Sequence, residues 1–152
     1  MAKLEKSVEI KASPEKVWEM LALDRFVEWL DECKSSKYTS EVRTPKDKYK
    51  VGASAHITEK HVEYDLEITE SLENEKIAFR SKGMEKGRVK GPTMTLTYTL
   101  RPVEQETKLT YAMDYEMPGG VLGKGLDKLF GAKHAEKGIE KSLDNLKSIL
   151  EK

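Results

Sequence analysis

Chemistry has few places to sit in this chain. The sequence has three histidines and one cysteine. His56 falls on the polar face of a strand, His61 at a turn and His134 on a late helix. No two share a metal-ligand spacing such as His-x-x-x-His, and Cys33 is far from them in sequence, so no metal site is expected. All three histidines read as surface or edge residues. Cys33 reads as an ordinary thiol near a helix end rather than a nucleophile. As a lone cysteine it forms no intrachain disulfide, which suits a reducing cytoplasm.

Other catalytic patterns fall short. Gly119-x-x-x-Gly123-Lys124 is one residue short of a phosphate-binding loop. Gly125 stands where a hydroxyl residue would hold Mg²⁺, so no nucleotide is expected. These glycines read as a hinge into a helix, free to let a pocket mouth open together with the 83–91 loop. Ser13, Ser81 and Asp114 form no triad, and no G-x-S-x-G elbow exists. No cofactor is implied, and catalytic residues stay unknown.

The tyrosines carry more. Alternation along the strands turns Tyr64, Phe79, Met94, Tyr98, Tyr111, Met113 and Tyr115 to one side. Leu126, Leu129 and Phe130 face them from the late helix, and Trp29 joins the set from a short helix. Plain core packing accounts for any one of these residues. As a set they suit a cavity. Methionines are adaptable fillers, and tyrosines are amphipathic walls whose hydroxyls can orient a ligand. A closed core would leave up to four tyrosine hydroxyls seeking partners. An apolar pocket with a few polar groups is the usual small-molecule site. Arg80 and Asp114 fall on outward faces, so tyrosines are the best polar candidates inside, as weak general acids.

Along the chain, residues 3–12 alternate as a first strand. Ser13 can cap a short helix with Pro14 at its first position. Asp24 can cap a second, holding Phe26, Trp29 and Leu30. Strands are predicted over 37–44, 52–59, 61–71, 75–82, 93–101 and 107–117, with a hairpin turn near Glu59-Lys60-His61. Lys82 to Gly91, locally basic and glycine-rich, reads as a flexible, solvated loop. From Gly119 the period changes. Leu122, Leu126, Leu129, Ala132, Ala135, Ile139, Leu143, Leu146 and Leu150 share one face of a helix running to Lys152. Its Lys133, Lys137 and Lys141 row can pair with the Glu136, Glu140 and Asp144 row. The fold class is therefore α+β. A curved antiparallel sheet of about six to seven strands grips the long C-terminal helix, and two short helices follow strand one. Residues 1–152 read as a single domain.

Composition narrows the function. The 152 residues carry 27 basic and 27 acidic side chains. That balance argues against nucleic acid as a partner. The first residues are no signal peptide, and no stretch approaches a membrane span, so no stable membrane insertion is expected and the location reads as cytoplasmic. Gln appears once (Gln105) and Asn twice (Asn74, Asn145), a thermophile-like composition.

Several stretches, in order, resemble one superfamily. They are Val8-Glu9-Ile10-Lys11-Ala12-Ser13-Pro14-Glu15-Lys16-Val17-Trp18, then Phe26-Val27-Glu28-Trp29, then Val51-Gly52-Ala53. The last is Leu109 to Gly120, leading into the helix and its Leu143-Asp144-Asn145-Leu146-Lys147 end. Together they resemble the START-like superfamily (SRPBCC, the helix-grip fold), in its polyketide cyclase/dehydrase-like or CoxG-like branch. The run Phe26 to Ser36 is also similar to coenzyme-Q-binding START-like proteins. The resemblance implies one ligand-binding domain that binds or carries a hydrophobic small molecule, such as a lipid, an isoprenoid or a polycyclic metabolite, as a monomer or weak homodimer. It leaves open a cyclase or dehydratase on a polyketide-like substrate, and a protein regulator of the heat-shock ATPase activator type. An acid or base turned into the pocket would favour the enzyme, and a filled cavity the regulator.

Overall fold

The computed structural model describes residues 2–60, 62–86, 89–90, 93–116 and 132–152. Strand β1 is Ala2–Ile10. Helix α1, Pro14–Met20, starts as its sequence dictates. The Ser13 hydroxyl accepts from the Lys16 backbone N–H, and Pro14 takes a first-turn position where no N–H is needed. A 3-10 turn, Leu23–Arg25, leads directly into α2, Phe26–Trp29. Asp24 does not cap the second helix as expected. It lies inside the 3-10 turn, whose cap position is Ala22, and its carboxylate meets Lys48 Nζ at 3.1 Å.

The strands are β2 (Cys33–Tyr38), β3 (Ser54–Glu59), β4 (Glu63–Leu72), β5 (Lys76–Lys86), β6 (Val89–Lys90), β7 (Thr93–Val103) and β8 (Glu106–Glu116). Every pairing is antiparallel, in the order β1-β8-β7-β5-β4-β3-β2, with the short β6 paired to β5 off that path. The curved, seven-stranded path matches the expected architecture.

Two boundaries differ from the sequence reading. The strand expected over 37–44 lies earlier, at Cys33–Tyr38. Beyond it, Asp47 accepts from the backbone N–H groups of Arg43 and Thr44 and opens a 3-10 turn at Pro45–Lys48. Such local side-chain bonds compete with a ladder and end it. The segment from Lys82 read as a loop is strand as far as Lys86. After an irregularity in register, the β4 ladder continues with Asp65 opposite Lys82 and Glu63 opposite Glu85. A neighbouring strand's hydrogen bonds outweigh the local preference of Gly83.

The inner face of the sheet is apolar and continuous. It holds Ala53, Ala55 and Ile57 on β3, Tyr64, Leu66 and Ile68 on β4, Ile77 and Phe79 on β5, Leu96, Tyr98 and Leu100 on β7, and Leu109, Tyr111 and Met113 on β8. Helix α3, Ala132–Leu150, lays Ile139, Leu143 and Leu146 on this core. The expected helical residues from 119 to 131, and the glycine hinge at 119–125, lie outside the described residues.

Polar contacts fasten α3 at several points. The Ser142 hydroxyl accepts from the Asp31 N–H, and Asn145 Nδ2 donates to the Trp29 carbonyl at 3.1 Å. Lys147 Nζ donates to the Glu9 carbonyl, and the Glu151 carboxylate accepts from the Lys11 N–H. Glu136 and Glu140 do not only decorate the helix. Both reach Lys6 Nζ on β1, at 2.7 and 3.0 Å, and Lys141 reaches Asp31 at 3.5 Å. The charged rows thus tie helix to sheet.

Candidate functional site

The inner face divides into an aromatic end and a tyrosine-methionine end. At the first, α2 brings Phe26 and Trp29 down onto the sheet. Phe26 meets Trp29 and Phe79 edge-on at centroid distances of 5.3 and 5.5 Å. Trp29 and Phe79 each meet Tyr98 edge-on at 6.0 Å. Edge-to-face rings at these distances are favourable core packing. The Trp29 indole N–H donates to the Met20 carbonyl at 2.8 Å, so its one polar atom is satisfied within the helices. Three of the expected lining residues, Trp29, Phe79 and Tyr98, therefore interlock.

Tyr98 passes the cluster on to Tyr111, its partner across the β7–β8 ladder, at 4.9 Å. Met113 is buried beside it on β8, and Met94 is half-buried on β7. The Met94 N–H donates to the buried Ser81 hydroxyl. Of Tyr115 the structure describes the backbone, in register with Met94. Leu126, Leu129 and Phe130 lie outside the described residues.

One group escaped sequence reasoning. Glu59 ends β3, where its neighbours Lys60 and His61 suggest a turn. The hairpin from β3 to β4 does follow it. The Glu59 N–H donates to the Val62 carbonyl, so Glu59 keeps strand geometry and faces the core with Ala55 and Ile57. Tyr64, on the returning strand β4, donates its hydroxyl to Glu59 Oε1 at 3.2 Å. Cys33 sits opposite Glu59 on β2. The period-two run 53, 55, 57 extended by one step is the signal that would have found it.

This carboxyl is held far from its usual range. Burial pushes it up to about 7. The Tyr64 hydrogen bond works the other way, and the charges of Glu32 and Asp31 push it higher. Glu59 acts on its neighbours in turn. Burial first, then the Glu59 charge, raises the Cys33 thiol to about 11 and Tyr64 well above the usual phenol range. The same two causes raise Tyr111, and Tyr98 is raised by burial, Tyr111 and Glu59. Cys33 is accordingly an inert thiol near neutral pH. A carboxyl that titrates near 7 beside three phenols can accept, donate or exchange a proton within an otherwise apolar wall.

Two other described candidates stay outside this cluster. His56 lies on the outer face, its Nδ1 2.8 Å from Asp65 Oδ1 and its Nε2 3.6 Å from Glu63. Arg80 is exposed. His61 lies outside the described residues. Among the described residues, no group of His, Cys, Asp and Glu side chains could hold a metal ion.

Comparison with known proteins agrees with this architecture. The model of the family described as polyketide cyclase / dehydrase and lipid transport matches residues 1–151. Among solved structures, protein TTHA0849 of Thermus thermophilus superposes with a TM-score of 0.72 at 17% identity, covering 97% of this chain and 95% of that one. The Aha1 dimer of Colwellia psychrerythraea gives 0.69 at 19% identity, covering 99% and 97%. DynU16, from the dynemicin biosynthetic locus, gives 0.65 at 20% identity, covering 98% of this chain and 47% of that one. At these identities the likeness is one of fold. No curated protein matches the chain.

Proposed function

We propose, because this chain belongs to the polyketide cyclase/dehydrase and lipid transport family, that it binds and carries a hydrophobic small molecule: a lipid, an isoprenoid or a polycyclic metabolite. The ligand lies against the inner face of the sheet, at the end formed by Tyr64, Met94, Tyr111 and Met113. Trp29, Phe79 and Tyr98 form the floor beneath it. Tyr115, Leu126, Leu129 and Phe130 are assigned to the lining from the sequence pattern alone. The whole of residues 1–152 acts as one ligand-binding domain.

The observation that carries this reading is the makeup of that wall. Apolar side chains surround a few polar groups, the Glu59 carboxyl bonded to the Tyr64 hydroxyl and the paired phenols of Tyr98 and Tyr111, as in small-molecule sites generally. We further propose a cytoplasmic protein, monomeric or weakly dimeric, without a nucleic-acid partner. The balanced charge supports the last of these.

Native mass spectrometry of protein purified from its own host tests the carrier. The expected result is a bound apolar compound released by organic solvent. Consistent absence of any such compound, together with failure to bind the apolar dye N-phenyl-1-naphthylamine, would overturn it.

Glu59 favours a second reading, a cyclase or dehydratase. Turned inward with a carboxyl near 7, it is the acid or base such an enzyme needs. Turnover of a polyketide-like substrate, lost in Glu59→Gln with binding retained, would establish the enzyme over the carrier.

A further inference from the structure

We infer that Glu59 and Tyr64 form the polar anchor of the ligand site, and that this anchor selects apolar molecules ending in an uncharged alcohol or phenol over those ending in an anion. The inference rests on the binding function proposed above and names the class of molecule bound.

The geometry gives the anchor its direction. Glu59 is the last residue of β3 and Tyr64 the second of β4, so one tight hairpin fixes both. Tyr64 is buried and spends its hydroxyl proton on Glu59 Oε1. Among the described residues, Oε2 makes no hydrogen bond. Glu59 is half-buried, so this acceptor oxygen can be reached by a donor on a bound molecule. An alcohol or phenol supplies one. Its oxygen can in turn accept from a phenol of the Tyr98–Tyr111 pair. Both ends of the ligand hydroxyl are then satisfied, as burial requires.

The surrounding charge sets the selectivity. On the β2 side, Asp31, Glu32 and the neutral Cys33 face Glu59. On β4, β7 and β8 the facing groups are the neutral phenols of Tyr64, Tyr98 and Tyr111. Lys60 follows Glu59 in sequence but is exposed, and two other described cations are engaged elsewhere. Lys6, opposite Tyr111 on β1, is held by Glu136 and Glu140 of α3. Lys141 of α3 is held by Asp31. A carboxylate headgroup hydrogen-bonded at this place would therefore meet the like charge of the Glu59 carboxylate at close range, in a half-buried setting that screens it poorly. A neutral hydroxyl meets no such penalty.

Retinol and retinoic acid test this directly, because they share one apolar body and differ in the headgroup. Each is titrated against protein loaded with the fluorescent dye N-phenyl-1-naphthylamine, for the wild type and for Glu59→Gln. At pH 8.5 the wild type is expected to bind retinol at least tenfold more tightly than retinoic acid. The preference is expected to shrink severalfold in Glu59→Gln, and to shrink in the wild type between pH 8.5 and pH 6, as Glu59 takes up its proton. The pH series needs no variant, so it decides the matter even if Glu59→Gln fails to fold. Equal binding of the two retinoids by the wild type, or a preference unmoved by both the substitution and pH, overturns the anchor while leaving the carrier intact. Failure of the dye and both retinoids to bind overturns the carrier and the anchor with it.

Discussion

The hydroxyl of Ser142 on α3 accepts a hydrogen bond from the backbone N–H of Asp31 at 2.8 Å, across 111 residues of sequence. The same hydroxyl donates to the Gly138 carbonyl at 2.7 Å. Ser142 is 3% exposed, so water is a poor substitute. Ser142→Ala is expected to cost about 1–3 kcal/mol, the penalty for a buried donor left alone. Thermal melts should fall by several degrees. An unchanged melting temperature would mean that the turn at Asp31 relaxes toward solvent and that this bond does not hold the helix.

Gly138 offers the opposite result. It lies inside α3, and a Cβ built there would stand 3.9 Å from Asp31 Oδ2, an ordinary contact. Glycine in a helix interior costs about 0.5–1 kcal/mol relative to alanine. Gly138→Ala should therefore raise the unfolding free energy by that amount, seen as a higher denaturant midpoint with an unchanged slope. A lowered midpoint would show that α3 needs to approach the Asp31 turn more closely than a methyl group allows.

Gly52 should not tolerate the same change. Its φ is +96°, a region side chains rarely adopt, although nothing lies within 4 Å of the added carbon. The strain belongs to the backbone rather than to crowding. Gly52→Ala is expected to lose about 1–2 kcal/mol, and Gly52→Asn less, because asparagine tolerates positive φ better. Equal losses for both would point to a cause other than dihedral strain.

Glu59 should make stability depend on pH in an unusual direction. Its carboxyl is raised in the folded state, from 4.5 to about 7. Between those values the folded chain holds a proton that the unfolded chain has released. The contribution is thus intact below about 4.5 and lost as pH rises through about 7. Glu59→Gln cannot ionise, so its stability relative to wild type should grow across that window. The ceiling is on the order of 3 kcal/mol, from about 1.4 kcal/mol per pKa unit. Chemical denaturation at pH 5 and pH 8 measures the difference, and a gap between variant and wild type that stays constant would refute the buried acid.

Much of this site could be read from residue types. On β7 each threonine alternates with an apolar residue, and the ladder places Leu96, Tyr98 and Leu100 inward as that period demands. Strand β2 was hidden because Lys34, Ser35, Ser36 and Lys37 show no apolar alternation. Its buried member is a serine whose hydroxyl accepts from the Val27 N–H, so tertiary packing makes that strand. Glu59 was hidden for a related reason. A charged residue beside Lys60 and His61 reads as a turn, and the hydrogen bond from Tyr64 together with a raised carboxyl makes its inward placement tolerable. The interlocked rings of Phe26, Trp29, Phe79 and Tyr98 depend on distances between distant segments, which periodicity does not encode.

The strand order has a consequence for how the protein is made. Ala2 lies opposite Tyr115, and among the described strands β8 is the one neighbour of β1 in the sheet. On the ribosome, β1 would wait for the roughly hundred residues up to β8 to follow it. At about 5–20 residues per second that wait is on the order of 5–20 s. During it, β1 presents an unpaired edge. Its Lys3, Glu5, Lys6 and Glu9 place charge along that edge and discourage pairing with other nascent chains. The closing of β1 onto β8 is thus a late event in biogenesis, and the interval before it is when a strand-holding chaperone would find its target.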